Sequence, residues 1–420
     1  MKSSRPKRAT VHDVPAAAER AVASPLDLQR AHRNGAEVAG PEATSARTRV
    51  PAVRADRLLS LDVFRGVTIA AMILVNNPGS HRYTYAPLEH AVWNGCTPTD
   101  LIFPFFLFIV GVAMTLSFSR RRRDGHGSGQ LWGQIVRRTL IIFALGILLN
   151  GFPFFDWSTL RIPGVLQRIA LCYFSAAVVV LTFGTRGQAA VTVFLLVGYW
   201  AAMAFVPIGG HAAGGLGPGH NLAAYIDSGL LRGHLLHRRW DPEGLLSTAP
   251  AVATTLSGVL TADWLCTPKR PLERVVGLFV VGNTAVVAGL LMDLWFPINK
   301  SLWSSSYVVF TSGAAMSFLG VCYWLVDVRG FHRWTKPFVI FGTNPILAYV
   351  LSSLMATAMM SYVLTFPDGS SEVLRPYIFE TYFLPLASPP AASLIYALLY
   401  VLLWLGITAI LYRRRIFIKI

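Results

Sequence analysis

Leu101-Ile102-Phe103-Pro104-Phe105-Phe106-Leu107-Phe108-Ile109-Val110-Gly111-Val112-Ala113-Met114-Thr115-Leu116-Ser117-Phe118 is an uncharged apolar run, closed by Arg120, Arg121, Arg122 and Arg123. A helix needs about 20 mostly apolar residues to cross a bilayer, so 99–118 reads as a membrane span with a basic stop. Working outward, comparable runs lie near 61–78, 136–152, 164–183 and 188–207, then near 245–264, 273–293, 302–326, 337–364 and 391–412. The expectation is an all-α polytopic membrane protein of about ten transmembrane helices. Bulk composition agrees: 420 residues, 54% hydrophobic, 14% charged, with a mean hydropathy of +0.50, too apolar for a soluble chain of this length.

The charges orient the spans. Basic residues crowd the N-terminal segment and recur at Arg137 and Arg138, at Lys269, Arg270 and Arg274, at Arg329, Arg333 and Lys336, and at Arg413, Arg414, Arg415 and Lys419. They occupy alternate loops, as the positive-inside rule predicts when both termini are cytoplasmic. The net charge of +16 is then mostly topological. It is no nucleic-acid signature, because no basic surface is interleaved with aromatics, though anionic lipid headgroups are suitable membrane partners.

Residues 1–57 are rich in Ala, Arg, Pro, Glu and Ser and carry no aromatics. They read as a disordered basic cytoplasmic tail without the apolar core of a signal peptide, leaving 58–420 as the membrane domain. Cys96, Cys172, Cys266 and Cys322 lack metal-ligand spacing, and no metal is expected. Segment 208–244 lies in an outer loop. Its glycine-rich start reads as a flexible connector, and its histidines are too irregularly spaced for a metal site.

Chemistry concentrates in the polar insert Leu88-Glu89-His90-Ala91-Val92-Trp93-Asn94-Gly95-Cys96-Thr97-Pro98-Thr99-Asp100. A histidine at the outer mouth of a span is suited to proton transfer. Asp100 reads as part of an N-cap, with a second role in orienting His90. Polar groups within spans are costly and face a cavity or a partner. Asp62 and Arg65, one turn apart, form either a structural ion pair or a cytoplasmic entrance for an anionic cofactor. Asn76 and Asn77 either terminate their helix or donate to a substrate carbonyl. Gln167 precedes Arg168, which either snorkels or faces a polar cavity. Asn344, before Pro345, marks a helix break of the kind tolerated beside protein or a cavity.

Several strings together resemble the heparan-alpha-glucosaminide N-acetyltransferase family: Ser60-Leu61-Asp62-Val63-Phe64-Arg65-Gly66, Val75-Asn76-Asn77, His90-Ala91-Val92-Trp93-Asn94-Gly95, and Asp100-Leu101-Ile102-Phe103-Pro104-Phe105-Phe106. So do Arg161-Ile162-Pro163-Gly164-Val165-Leu166-Gln167-Arg168, Asp241-Pro242-Glu243-Gly244-Leu245-Leu246, Pro297-Ile298-Asn299-Lys300 with Leu302-Trp303, and Gly342-Thr343-Asn344. The resemblance implies a transmembrane acyltransferase-like fold and transfer of acetyl from cytosolic acetyl-CoA to a glucosamine amine across the membrane. It maps the catalytic histidine onto His90 and a functional asparagine onto Asn76. The lysosomal member carries a folded lumenal domain where this chain has a basic tail, so a bacterial amino sugar or cell-wall glycan is the expected acceptor, at a bacterial inner membrane. A homodimer is among the assemblies allowed.

Acyl transfer needs a base and an oxyanion donor. His90 is the expected base, or else the acyl acceptor of a ping-pong route, with Asn76 or Asn77 as donor. Asn77, Asp100, Gln167, Arg168 and Asn344 are expected around the substrate. Arg65, Arg137 and Arg138 are expected on the CoA phosphates, although topology alone explains them equally well. The rival function is an amino-sugar transporter or permease component, against which stand the lack of an internal repeat and the scarcity of acidic residues in the spans.

Overall fold

The computed structural model describes residues 58–125, 128–208 and 213–418; the tail expected at 1–57 lies outside them. The apolar runs fold into helices α1 (Leu59–Asn76), α2 (Ile102–Arg123), α3 (Ser128–Gly151), α4 (Val165–Thr182), α5 (Thr185–Phe205), α6 (Leu222–Leu230) and α7 (Thr248–Leu265). After these come α8 (Pro271–Met292), α9 (Ser305–Cys322), α10 (Lys336–Thr343), α11 (Pro345–Ser361), α12 (Leu374–Ile378) and α13 (Pro389–Arg413). A two-stranded hairpin, β1 (Val363–Thr365) with β2 (Ser371–Val373), precedes α12. Among the described residues the fold is thus all-helical apart from one small hairpin.

Among the described residues, α1, α2, α3, α4, α5, α8, α9 and α13 are long and apolar enough to span a membrane. Helices α10 and α11 make a ninth candidate if read as one span bent by 83°. The bend falls at Asn344, where Pro345 lacks an N–H for the helix ladder. The run expected at 245–264 forms α7 but falls short of a span by apolarity. Its Thr254, Thr255, Ser257 and Thr261 are buried, because α7 packs against α2, α4, α5 and α9 and presents little surface to lipid.

Burial is inverted relative to a water-soluble bundle. Helices α3, α5 and α8 are apolar, yet only 22% of each spanning window is buried. Val193, Phe194, Val280, Val281 and Val287 face outward, as a lipid-facing wall requires. Inside, a β-carbon on Gly111 of α2 would sit 1.9 Å from the Thr255 carbonyl oxygen of α7, and one on Gly258 would sit 2.0 Å from that of Phe108. This reciprocal glycine contact lets two backbones approach as small residues do in membrane helix pairs. It seats α2, which runs on from the 3-10 turn that carries Asp100, firmly against α7.

Candidate active site

Helix α1 ends at Asn76, and the chain returns to α2 through three 3-10 turns, His81–Tyr83, Ala86–Leu88 and Pro98–Leu101. A capping box closes this loop: the Asp100 carboxylate reaches back to Thr97, the N-cap of the last turn. Asp100 Oδ2 accepts the backbone N–H groups of Ala91 (3.1 Å) and Thr97 (3.0 Å). Its Oδ1 lies 2.7 Å from His90 Nδ1. Tyr307 of α9 donates its hydroxyl to the Asp100 carbonyl at 2.6 Å. Both roles expected for Asp100, cap and histidine partner, are therefore present in the geometry. A carboxylate only accepts, so Nδ1 carries the proton and Nε2 is left with its lone pair. The Asp100 side chain is 1% exposed while that of His90 is 51% exposed, so the imidazole is open and its anchor is dry.

A residue 210 positions away completes the cluster. Gly95, at φ 103°, a left-handed conformation that suits glycine, donates its N–H to the Ile298 carbonyl at 2.7 Å, and Asn299 Nδ2 donates to Asn94 Oδ1 at 3.1 Å. Those contacts deliver Lys300 Nζ to 3.0 Å from His90 Nδ1, 3.3 Å from Nε2 and 3.5 Å from Asp100 Oδ1. Burial pushes the Lys300 ammonium below the ordinary lysine range, and the pull of Asp100 and Glu243 restores it only in part. Burial and the Asp100 charge push the nearby Cys96 thiol up to about 12, which makes it a poor nucleophile at neutral pH.

Three further charged groups buttress this face. Arg161 clasps Asp241 through Nε (2.9 Å) and Nη2 (2.7 Å), and also reaches Glu243 at 2.5 Å. Burial alone would push the Asp241 carboxyl up; the Arg161 hydrogen bonds outweigh it and hold it below the usual range. The same turn brings Trp240 against Trp93, with ring centroids 5.1 Å apart, and stacks His237 on Trp240 at 4.3 Å. The 208–244 segment was expected to be a connector. Its glycine-rich 209–212 lie outside the described residues, but 213–244 carry α6 and pack on the His90 loop.

Arg168 does not snorkel. It is 1% exposed, donates through Nη2 to the Gly244 carbonyl and the Ser247 hydroxyl, and lies over the Trp303 ring at 5.1 Å. Its Nε and Nη1 and the neighbouring Gln167 Nε2 are buried and have no hydrogen-bond partner among the described residues. Asn77 is buried and donates Nδ2 to the Ile73 carbonyl at 2.8 Å, the helix-terminator geometry; Asn76 is exposed at the helix end. Asn344 is committed to the C-terminal segment, donating to the Ile416 carbonyl (3.0 Å) and accepting from the Ile418 N–H (2.9 Å). The Asn344 amide is thus paired with backbone at the opposite end of α1 from His90.

At that opposite end is a cavity of about 520 Å³. Arg65, Arg121, Arg137 and Arg138 line it together with Gln134, and Phe106, Ile109, Val110 and Ala113 continue it along α2. Arg65 also reaches Asp62 (3.2 Å) and the Gly342 carbonyl (3.3 Å), so the expected ion pair and the expected cavity position coexist. Arg138 stacks over Tyr173 at 4.7 Å. Sequence reasoning brought Arg65, Arg137 and Arg138 forward together as candidates for the CoA phosphates. It did not single out Arg121, which lay in a basic run, or Lys300, whose partners are remote in sequence.

These features define a polytopic helical membrane protein with a carboxylate-anchored histidine at one end of a buried helix and an arginine-rimmed cavity toward the other. Residues 57–221 match the family model described as "Heparan-alpha-glucosaminide N-acetyltransferase, catalytic", and that part of the chain belongs to the family. It is 30% identical to heparan-alpha-glucosaminide N-acetyltransferase of Mus musculus over 423 aligned residues, covering 87% of this chain and 61% of the relative. The Homo sapiens protein of the same name is also 30% identical, over 87% of this chain and 60% of its own length. The chain thus spans about three fifths of these relatives.

Proposed function

We propose that this chain is a membrane acetyltransferase that moves acetyl from cytoplasmic acetyl-CoA to the amine of an amino sugar or glycan on the opposite side, with His90 as the base. The observation that carries the reading is the half-exposed His90 held by a fully buried Asp100 at 2.7 Å. That contact supports Nε2 as the reactive nitrogen, as a buried aspartate does for the histidine of a catalytic triad. The acceptor nitrogen attacks the acetyl carbonyl carbon and its displaced proton passes to Nε2. The C–S bond then breaks, the new C–N amide bond remains, and the proton leaves with the CoA thiolate as thiol. Direct transfer needs no stored intermediate and is the favoured route; an acetyl group carried on the same Nε2 is the alternative.

The donor fits the other cavity. CoA carries phosphates on a long, less polar arm; arginines recognise phosphates by charge-assisted bidentate hydrogen bonds, and Arg65, Arg121, Arg137 and Arg138 supply four guanidinium groups around an apolar-lined channel. At about 1.5 Å per residue, Phe106 of that lining stands roughly 9 Å along the helix from Asp100. Arg168, beside Ile169 of the lining, and Gln167 bring buried donors to the region between the two sites, and Asn344 braces the arginine end through the C-terminal segment. The test is acetyl transfer by the purified chain from labelled acetyl-CoA to glucosamine, with His90→Ala beside it. Label on the sugar only with the parent supports the reading; full transfer by His90→Ala removes His90 from it, and a folded parent that acetylates no amino sugar sinks it.

A further inference from the structure

An acyl transfer of this kind places negative charge on the acetyl oxygen in the tetrahedral intermediate, and a donor must lie where that charge develops. The helix-end asparagines are poorly placed for it. Asn77 has its amide committed to the Ile73 carbonyl, and among the described residues no hydrogen bond joins Asn76 to His90. Lys300, by contrast, is in contact with the histidine itself. Its Nζ is 3.0 and 3.3 Å from the two ring nitrogens, nearly equidistant, so the ammonium sits beside the ring instead of being aimed at one lone pair. Nδ1 holds the proton given to Asp100 and cannot accept. An ammonium has three donors, and the Asp100 contact at 3.5 Å is long. At least one N–H is therefore left for a group approaching Nε2.

We propose that Lys300 is a catalytic residue, the donor that holds the acetyl oxyanion while His90 takes the acceptor's proton; this rests on the acetyltransferase reading above. The arrangement balances charge. The ground state pairs Asp100 carboxylate with Lys300 ammonium beside a neutral imidazole. The intermediate adds one positive charge on His90 and one negative charge on the oxygen, and the oxygen lies against Lys300. When the C–S bond breaks, the oxygen's electron pair re-forms the carbonyl and Lys300 is returned unchanged. Placement is set by the chain and not by chance rotamers: Asn299 is fully buried, accepts from the Leu302 N–H through Oδ1, and pins the segment to Asn94.

The experiment measures kcat and KM against pH for the full chain, with acetyl-CoA and glucosamine, for the parent and for Lys300→Met and Lys300→Arg. The methionine variant is expected to lose about 100-fold in kcat, with the KM for acetyl-CoA within about twofold. The arginine variant keeps a donor that does not deprotonate, so it retains part of the rate and loses the alkaline fall that the parent shows as Lys300 gives up its proton. A structural role would not move that limb. If Lys300→Met fails to fold, Lys300→Cys alkylated with 2-bromoethylamine, which rebuilds the ammonium, is expected to recover turnover; alkylated protein that stays inactive overturns the proposal. An active parent with Lys300→Met within about threefold of it overturns the proposal and leaves the enzyme. A folded parent that transfers nothing removes the acetyltransferase reading and Lys300 with it.

Discussion

Replacing Asp100 by Asn tests the anchoring of His90 while preserving volume. The carboxylate accepts from the Ala91 and Thr97 N–H groups on Oδ2, where the Thr97 hydroxyl also lies 3.1 Å away, and from His90 Nδ1 on Oδ1, which Lys300 approaches to 3.5 Å. An amide has one oxygen and one NH2 and must choose. Turning the oxygen toward His90 leaves two backbone donors facing NH2, each costing about 1–3 kcal/mol if unsatisfied. Turning it toward the backbone keeps the loop and sets NH2 against Nδ1, which forces the proton onto Nε2, the nitrogen that has to act as base. The second choice wins on energy, so the variant is expected to fold and to lose turnover. The same exchange in a serine protease triad costs about 10⁴ in kcat. His90 is half exposed and freer to rotate, so a loss of roughly 10² to 10⁴ is expected here, with acetyl-CoA KM little changed and Tm within a few degrees. The assay is labelled acetyl transfer with a melting curve on the same sample. An Asp100→Asn variant turning over within about twofold of the parent would refute the anchoring argument, whatever its Tm.

Exchanging Arg137 and Arg138 together for Ala is expected to raise the KM for acetyl-CoA by roughly 10–100-fold, since a hydrogen bond to a charged group contributes about 1.5–3 kcal/mol. Their partial exposure favours the lower figure; kcat at saturating donor should hold, and dephospho-CoA competition reads which phosphate is lost. Asp227 gives a pH signature. Burial pushes its carboxyl up to about 6, so its neutral form is favoured in the folded state. That stabilisation is full below the ordinary aspartate value and is lost as pH rises through about 6. Asp227→Asn keeps an acceptor for the Leu245 N–H and should flatten the fall in Tm between about pH 4 and pH 6; unchanged slopes would refute the assignment.

Hydropathy placed the spans because a bilayer imposes length and apolarity on each run independently of its neighbours. Its signal is weakest at 245–264 because α7 is enclosed by protein; there small and hydroxyl residues serve packing, and apolarity no longer reports depth. The His90–Asp100 pair was legible because ten residues separate the partners and a capping box is local. Lys300 was not, since its placement depends on Gly95 meeting Ile298. Nor was the partnering of Arg168, whose carbonyl and hydroxyl acceptors at Gly244 and Ser247 lie 76 and 79 residues away. Trp240 likewise meets Trp93 across most of two helix pairs. Long-range contacts leave no periodic trace in sequence.

The fold also makes a physical demand on the proposed reaction. Asp100 and Arg121 belong to one helical run, Pro98–Arg123, and at about 1.5 Å per residue they stand roughly 32 Å apart, about the thickness of a hydrocarbon core. A phosphate held near Arg121 cannot bring its own charge to His90 without crossing that distance in apolar surroundings. The cavity lining answers this by changing character along α2, from Arg121 through Ser117 and Ala113 to Val110 and Phe106. Charge is kept at one end, and only an uncharged arm and a thioester need travel toward the other. Under the proposed reaction, donor phosphates and acceptor amine would never share a compartment, while Gly111 against Thr255, with Gly258 against Phe108, keeps α2 fixed against α7. Binding energy gathered at the arginines can in this way orient a carbonyl at the histidine, the use of remote binding energy that catalysis requires.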